Sequence, residues 1–270
     1  MQLKAILCDF DGSLVDKNDK YNPQIKGLLD KIKVRGVHFS LATGRAYYGA
    51  VQRVLEELEL FDYHILYGGA LIFNNKENNI LLYQPISKES VKKILNYLQN
   101  AKLIFALETK NFAYMNKVVK TSAYTDITSI KPLSELIDFS NILKILIFGN
   151  FNRLSETQVE NHKKNLGAQC KDISLMKFIF NNYGLDITSE KATKHTAVLE
   201  YEKLLNIPRN QIVAIGDGHN DYPLFTACGY NIAMENAPKE LKEIADFIAP
   251  TVENSGTQVA LQHVITKFSL

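Results

Sequence analysis

The 270-residue chain contains no tryptophan and only three cysteines, Cys8, Cys170 and Cys228. Because three is an odd number and the spacings are wide, a disulfide framework is not expected. We interpret the cysteines as small buried hydrophobic side chains in a protein of the reducing cytoplasm. The sequence also lacks a secretory signal layout at its start and any apolar run near the roughly 18 residues of a membrane span. It therefore predicts a cytoplasmic protein without a membrane partner.

An excess of charge of either sign is also missing. The chain has 31 Lys and Arg residues against 29 Asp and Glu residues, for a formal net charge of +2. This balance gives no electrostatic reason to expect a nucleic-acid partner. The length and the hydrophobic content of 46% are those of a globular protein with one large or two modest domains. We expect a monomer or a small homo-oligomer.

Short apolar runs alternate with helical patterns at both ends of the chain. Near the N-terminus these patterns fall at residues 3–10, 23–34, 37–43, 44–58 and 63–72. The segment 63–72 reads as a third strand with a glycine interruption, and the alternation returns between residues 192 and 249. Strands that alternate with helices indicate right-handed crossovers and a parallel sheet. The two ends together therefore predict an α/β domain with a Rossmann-like parallel sheet.

The middle of the chain has a different pattern. A helix is predicted at 87–100, paired strands flank the turn at 109–111, and further strands and one helix follow up to residue 185. Hairpins with helices on one face are typical of an α+β domain with an antiparallel sheet. The sequence thus predicts a core domain from residues 1–80 and 186–270, interrupted by an inserted domain at 81–185.

Polar clusters follow three of the predicted parallel strands. They lie at residues 9–12, 43–45 and 216–221. Ligands of open parallel sheets bind outside the carboxyl ends of the strands. Side chains that are distant in sequence are therefore expected to converge on one crevice.

The first cluster contains two carboxylates, Asp9 and Asp11, whose side chains leave an extended backbone on the same side. Together with Asp217 they would form an oxygen-rich site that suits Mg²⁺. Asp9 could then attack phosphorus, while Asp11 protonates the leaving oxygen and later deprotonates water. Thr43 and the N–H groups of the following helix start would donate to phosphate oxygens.

Phosphoryl transfer also needs a lysine, and two candidates are Lys191 and Lys194. Lys194 follows a plausible helix N-cap, Thr193. A calcium loop starting at Asp9 is excluded by spacing, because its sixth position is not Gly and its twelfth, Lys20, is not Glu. A merely solvated turn would leave the later acidic cluster at 216–221 as a coincidence.

Four motifs carry a resemblance to a known family. The segments DFDGS at 9–13, ATGR at 42–45, a lysine that opens a helix, and GDGHND at 216–221 resemble the signatures of the haloacid dehalogenase (HAD) superfamily. Their order, with a large insert between the second and third motifs, is similar to that of the Cof-type subfamily of sugar-phosphate phosphatases. The resemblance extends over the whole chain.

The resemblance implies a role for each matching residue. Asp9 would be the nucleophile and a Mg²⁺ ligand, and Asp11 would be the acid/base and offer its backbone carbonyl to the metal. Metal binding would also involve Asp217, and Asp221 directly or through water. The implied phosphate-binding residues are Phe10 and Gly12 through backbone N–H groups, Thr43, Gly44, Lys194 rather than Lys191, and Asn220. The inserted domain would be a cap that selects a small phosphorylated metabolite.

Some features depart from the family pattern or stay open. Gly68 stands where the family usually has Asn, and His195 stands where it often has Gly. Arg45 could contact phosphate or pair with a carboxylate, and His219 is interpreted as a loop residue. Inserted residues that could face the crevice are Asn181, Asn182 and Tyr183. A phosphomutase on the same scaffold and a non-catalytic ligand-binding homologue are the alternatives to a phosphatase.

Overall fold

The computed structural model describes residues 2–119, 127–180 and 182–270, so Asn181 lies outside the described residues. The strands are β1 Ala5–Cys8, β2 His38–Leu41, β3 Tyr63–Leu66, β4 Leu71–Asn74, β5 Asn79–Tyr83, β6 Phe105–Glu108, β7 Ala113–Met115, β8 Ile130–Pro132, β9 Lys144–Ile147, β10 Ile173–Phe180, β11 Asn182–Ser189, β12 Ile212–Gly216, β13 Tyr230–Met234 and β14 Phe247–Ala249. The α-helices are α1 Ile25–Val34, α2 Ala50–Glu57, α3 Lys88–Asn100, α4 Gly149–Asn152, α5 Glu156–Gln169, α6 Lys194–Leu205, α7 Tyr222–Phe225, α8 Lys239–Glu243 and α9 Gly256–Phe268. No helix within these described ranges is both long and apolar enough to cross a membrane.

The chain divides into two compact units. The first contains Met1–Arg45, Val54–Leu82 and Thr193–Leu270, and the second contains Ala46–Arg53 and Tyr83–Ala192. The predicted boundary at 185/186 falls inside β11, which continues to Ser189 and pairs with β9 and β10 of the second unit.

The first unit is built on a five-stranded sheet in the order β14-β13-β12-β1-β2. Every strand pair in it is parallel, which confirms the predicted Rossmann-like sheet. All four residues of β1 are fully buried, because this strand has a neighbour on each side and side chains against both faces. Leu7, Ala214 and Tyr201 belong to the core that packs α6 against the sheet. The sheet therefore holds the residue after β1 at its carboxyl edge, between β12 and β2.

Two local predictions near the N-terminal half of the core region were wrong. The segment 63–72 is not one strand but an antiparallel hairpin of β3 and β4, in which Leu66 faces Leu71. The chain reverses there because Tyr67, Gly68 and Gly69 all have positive φ angles. The second helix starts at Ala50 rather than at residue 44. Residues 44–49 form an irregular segment that ends at Gly49, whose φ is +80°.

The second unit contains a six-stranded sheet in the order β10-β11-β9-β6-β7-β8. Its pairs are antiparallel except for β7 with β8, and helices α3 and α5 contribute Leu98 and Val159 to a core on the sheet. Both helices begin at a serine N-cap: Ser87 accepts the N–H of Ser90, and Ser155 forms a capping box with Gln158. The predicted α+β character of the inserted region is confirmed.

Candidate active site

The candidate site lies where β1, β2 and β12 end. Asp9 comes directly after β1 and Asp217 directly after β12, and Cys8 is in register with both Ile215 of β12 and Leu41 of β2. The N–H of Asp9 donates to the carbonyl oxygen of Ile215 at 2.8 Å. The first residue after β1 is thus fixed by the neighbouring strand β12, and the polar loops meet around it as expected.

Lys194 is the lysine that the fold brings to Asp9. It is the first residue of α6, which begins at the N-cap Thr193 with a reciprocal capping box to Thr196. The Lys194 ammonium lies 2.6 Å from Oδ1 of Asp9 and 2.5 Å from Oδ1 of Asp221, and its side chain is 3% exposed. Burial alone would lower the pKa of Lys194, but the carboxylates of Asp221 and Asp9 outweigh burial and raise it. The lysine is therefore charged when it contacts Asp9.

Asp221 braces the loop that carries Asp217. Its Oδ1 contacts Lys194, and its Oδ2 accepts the backbone N–H groups of Asp217 at 3.0 Å and of Gly218 at 2.9 Å. Asp221 is fully buried, and a Cβ at Gly216 would lie 2.6 Å from its Cγ, so glycine is needed at that position. These contacts suit a supporting residue better than an outward-facing metal ligand.

Gly12 has a steric role beside the carboxylate of Asp217. Its N–H donates to the carbonyl oxygen of Val15 at 2.9 Å, so this N–H is already paired. Its φ is +73°, and a Cβ built at this position would collide with the carboxylate of Asp217. Glycine thus permits the close approach of the first motif to the fourth. The backbone-donor role that the resemblance implies for Gly12 stays a prediction.

Asp217 has two side-chain partners that sequence reasoning missed. The hydroxyl of Ser13 donates to its Oδ1 at 3.3 Å, and the amide Nδ2 of Asn236 donates to its Oδ2 at 2.8 Å. Asn236 comes two residues after β13, another parallel strand of the same sheet. The rule that ligands gather at strand ends could have found it had it been applied to the segment after β13.

The carboxylates of the site fit a divalent cation. Asp9, Asp217 and Asp221 offer oxygens that all lie within 4.8 Å of one another. Burial, and then the Asp221 carboxylate, raise the pKa of Asp9 well above its usual range despite the opposing ammonium of Lys194. The same two causes raise the pKa of Asp217 to about 6. Three carboxylates near one lysine leave negative charge that a hard cation with oxygen ligands would neutralise.

Asp11 does not turn its carboxylate into this cluster. Arg45 binds it with two hydrogen bonds, from Nε to Oδ2 at 2.9 Å and from Nη2 to Oδ1 at 2.5 Å. Nη2 of Arg45 also lies 2.8 Å from Asp19, and the guanidinium lies over the buried ring of Phe10, 5.1 Å from its centroid. The open question about Arg45 is thus answered: in this structure it pairs with carboxylates.

Thr43 and its neighbours form the loop after β2. The N–H of Thr43 donates to Ile65 at 2.9 Å, and its hydroxyl oxygen accepts the N–H of Arg45 at 3.1 Å. The hydroxyl proton of this buried residue can still be directed at a ligand. A Cβ on Gly44 would meet no other atom within 4 Å, so Gly44 borders open space. This geometry is compatible with the predicted contacts to phosphate.

The turn at residues 67–69 contacts the loop after β2, which contains Thr43, and the start of α6, which contains Lys194. The N–H of Tyr67 donates to Arg45 at 3.0 Å, and the N–H of Gly68 donates to Thr43 at 2.9 Å. A Cβ on Gly69 would collide with the carbonyl of Thr193, the N-cap of the helix that starts with Lys194. The strained turn therefore holds the loop after β2 against the start of α6. A Cβ at Gly68 would meet nothing within 4 Å, so the missing side chain leaves open space.

The remaining candidates lie around the fourth motif. Asn220 is half-buried beside Gly218, where a Cβ would collide with its Oδ1. His219 is exposed, and Nδ1 of His195 lies 3.2 Å from the hydroxyl of Thr226. The phosphate contact of Asn220 stays a prediction. Within the described residues, no hydrogen bond joins His195 or His219 to the carboxylate cluster.

The chain is similar to known proteins both in sequence and in structure. The model of the haloacid dehalogenase-like hydrolases matches residues 6–261. Phosphatase YwpJ of Bacillus subtilis (strain 168) is 26% identical over 97% of this chain and 100% of its own length. 5-amino-6-(5-phospho-D-ribitylamino)uracil phosphatase YbjI of Escherichia coli (strain K12) is 22% identical over 98% of this chain and 97% of its own. A haloacid dehalogenase-like hydrolase from Bacteroides thetaiotaomicron superposes with a TM-score of 0.83 at 20% identity, over 97% of this chain and 100% of that one.

These relatives agree with the four motifs and with the fold. The structural similarity shows the shared α/β fold, and the resemblance to the superfamily and its Cof-type branch is confirmed. The prediction that the chain is an enzyme of this superfamily is likewise confirmed. Since the match spans nearly the whole chain, this protein belongs to the haloacid dehalogenase-like hydrolase family.

Proposed function

We propose that this protein is a Mg²⁺-dependent phosphatase that hydrolyses small phosphomonoesters through an aspartyl-phosphate at Asp9. The observation that carries the proposal is the pairing of Asp9 with Lys194, 2.6 Å apart, at the carboxyl end of β1 and next to Asp217. This arrangement supports a nucleophile, a phosphate-binding cation and a metal site in one place. The named phosphatases among the relatives support the same reaction class.

The first half of the proposed reaction forms the covalent intermediate. An oxygen of Asp9 attacks phosphorus, and the bond between phosphorus and the leaving oxygen breaks. Lys194 binds a phosphate oxygen and stabilises the charge of the transition state. Thr43 and Asn220 orient the phosphoryl group from other sides. Asp9 and Asp217 would hold Mg²⁺, which would supply the positive charge that reduces repulsion between a carboxylate and a phosphate.

Asp11 is proposed to move the proton in both halves. It protonates the leaving oxygen and then accepts a proton from the water that attacks the aspartyl-phosphate, which releases inorganic phosphate and restores Asp9. Because Arg45 holds Asp11 through two hydrogen bonds in this structure, this role requires Asp11 to leave Arg45. The proposal thus includes a rotation of the Asp11 side chain toward the substrate.

The proposed substrates are sugar phosphates or similar small metabolites. One relative is named for a phosphorylated ribityl compound, and the balanced charge of the chain gives no reason to expect a polymer. We further propose that the inserted region selects the leaving group. We also propose that the enzyme is cytoplasmic. Oxygen-rich leaving groups are the class to test first.

The test is phosphate release from a panel of sugar phosphates, nucleotides and pyridoxal phosphate, with Mg²⁺ and with a chelator. We expect Mg²⁺-dependent release, and we expect Asp9→Asn to lower kcat by about 10³-fold or more. Asp16→Asn is the matched control, because among the described bonds the Asp16 carboxylate accepts only from Asn18 (its backbone N–H and side-chain amide) and from the backbone N–H of Lys20. Full activity of Asp9→Asn, or no release from any substrate, would contradict the proposal.

A further inference from the structure

Asn236 is held against the metal-site carboxylate from outside the four motifs. It follows β13 and is exposed to solvent, yet its amide Nδ2 lies 2.8 Å from Oδ2 of Asp217. A hydrogen bond to an ionised carboxylate is shorter and stronger than one between neutral groups. The contact therefore fixes an exposed amide to one particular oxygen of the site.

The two oxygens of Asp217 have different partners. Oδ2 accepts the Asn236 amide at 2.8 Å, whereas Oδ1 accepts the Ser13 hydroxyl at the longer distance of 3.3 Å. A donor on each oxygen fixes the rotation of the carboxylate plane, and the shorter bond makes Asn236 the stronger restraint. Gly12 packs directly against the same carboxylate, which limits its movement further.

The restraint still leaves Asp217 able to bind a cation. A carboxylate has about four lone-pair sites, and Ser13 and Asn236 occupy one on each oxygen. Asn236 is also neutral, so it orients Asp217 without adding charge to a cluster that already contains three carboxylates. An amide donor suits this position better than a lysine, whose charge would compete with the metal.

We propose that Asn236 is a positioning residue for the divalent cation: its amide fixes the orientation in which Asp217 offers an oxygen to the metal. This inference rests on the proposed function, because it assumes that the acidic cluster holds Mg²⁺. Residues that orient metal ligands through hydrogen bonds typically cost about 10–100-fold in metal affinity or activity when they are replaced. Asn236 thus adds a fifth segment to the four motifs of the site.

A purely structural role of Asn236 predicts a loss of stability in the absence of metal, whereas the positioning role predicts a lower affinity for Mg²⁺. Substitutions of exposed side chains usually change the free energy of unfolding little, and Asn236 is exposed. The folded state without metal should therefore be nearly unchanged, while the dissociation constant for Mg²⁺ rises. The two roles are separated by measuring Mg²⁺ binding directly rather than through activity.

The experiment compares wild-type protein, Asn236→Ala, Asn236→Gln and the control Asn79→Ala by isothermal titration with Mg²⁺ and by the Tm with and without Mg²⁺. Asn79 is also an exposed asparagine, and its Nδ2 donates to the Tyr63 hydroxyl at 3.2 Å. We expect Asn236→Ala to raise the Kd for Mg²⁺ by about 10-fold or more, with an unchanged Tm in the absence of metal. Asn236→Gln keeps the amide donor and should recover part of the affinity, and Asn79→Ala should bind as the wild type does.

The outcomes separate this inference from the proposed function. If wild type and Asn236→Ala bind Mg²⁺ equally well, the positioning role is overturned while the metal-dependent phosphatase stands. If Asn236→Ala also loses stability without metal and Asn236→Gln recovers no affinity, the role of Asn236 is structural and the inference is again wrong. If wild-type protein binds no Mg²⁺ at all, the proposed function fails and the inference fails with it.

Discussion

Each of the two units contains a buried lysine that contacts two carboxylates. In the first unit, Lys194 lies 2.6 Å from Asp9 and 2.5 Å from Asp221. In the second unit, Lys144 lies 3.2 Å from Glu108 and 3.8 Å from Asp186. The charged groups are the same in kind and number, so the difference between the clusters lies in where the backbone places them.

The cluster of the second unit lies within a sheet. Lys144 on β9 is directly opposite Glu108 on β6, and Asp186 is on β11, the other neighbour of β9. The cluster of the first unit lies instead at strand ends and a helix start, beside the further carboxylate of Asp217. Among the described residues, only that first cluster forms a group suited to a metal ion. Paired charges on neighbouring strands connect those strands within a sheet, whereas excess negative charge at strand ends can bind a cation.

The largest predicted effect comes from replacing each lysine. Lys194→Met removes the proposed phosphate-binding cation and is expected to lower kcat by about 10²–10³-fold. Lys144→Met likewise removes the cation beside the buried carboxylate of Glu108, so both variants should lose about 3–5 kcal/mol of stability. Phosphate release at low temperature, together with urea unfolding, measures the two effects separately.

Equal losses of kcat in Lys194→Met and Lys144→Met would contradict the different roles assigned to the two clusters. That result would place the Lys144 cluster in the reaction rather than in the sheet. A loss of stability in Lys144→Met without a comparable loss of kcat is the expected result.

The proposed catalytic cluster could be predicted from the sequence because each member belongs to a short local pattern. Asp9 and Asp217 directly follow apolar strands, and Lys194 follows an N-cap, so the parallel-sheet rule places them together. The Glu108–Lys144 pair has no such pattern. It depends on which residues of β6 and β9 are opposite each other, and that register is set by tertiary packing.

The wrong local predictions have a similar cause. The helical pattern after the second motif predicts a helix from residue 44, but Thr43 and Arg45 form loop hydrogen bonds instead, Gly49 has a positive φ, and the helix starts at Ala50. The glycines at 68 and 69 correctly indicated an interruption. Their positive φ angles turn the interruption into a chain reversal, which alternation of apolar residues does not show.

The second prediction compares one carboxylate from each cluster. Burial raises the pKa of Asp186 to about 6. A carboxyl group whose pKa is higher in the folded state binds more protons there, so its contribution to stability is lost as pH rises from about 4 to about 6. Asp186→Asn should remove this cost and stabilise the protein near neutral pH by up to about 3 kcal/mol. Urea unfolding at about pH 4 and pH 7 measures it.

Asp217→Asn is the counterpart in the first unit. It removes a proposed metal ligand, so it should abolish the rise in Tm on adding Mg²⁺, whereas Asp186→Asn should keep that rise. A Mg²⁺ response that survives Asp217→Asn, or is lost in Asp186→Asn, would reverse the assignment of the two clusters.

The smallest predicted effect comes from comparing two histidines, one from each unit. His64 is fully buried in the first unit, where its Nδ1 accepts the N–H of Leu41 at 3.1 Å and its Nε2 donates to Leu60 at 3.3 Å. Both ring nitrogens are thus bonded in the neutral form, and burial lowers the pKa of His64 to about 4. His162 of the second unit is half-buried, bonds to the Tyr97 hydroxyl at 2.8 Å, and its pKa is lowered by partial burial.

Below about pH 6.5 the unfolded chain binds a proton at His64 that the folded chain does not, so stability must fall on acidification. Between about pH 8 and pH 5 this group should cost about 2 kcal/mol. Comparing wild type with His64→Gln by urea unfolding at both pH values isolates the term, because the carboxylates are common to both proteins. His162→Gln should retain more of the wild-type pH dependence; an equal change in both variants would contradict the assignment to His64. Acid sensitivity would then arise where β2 is joined to β3, in the unit that carries the reaction.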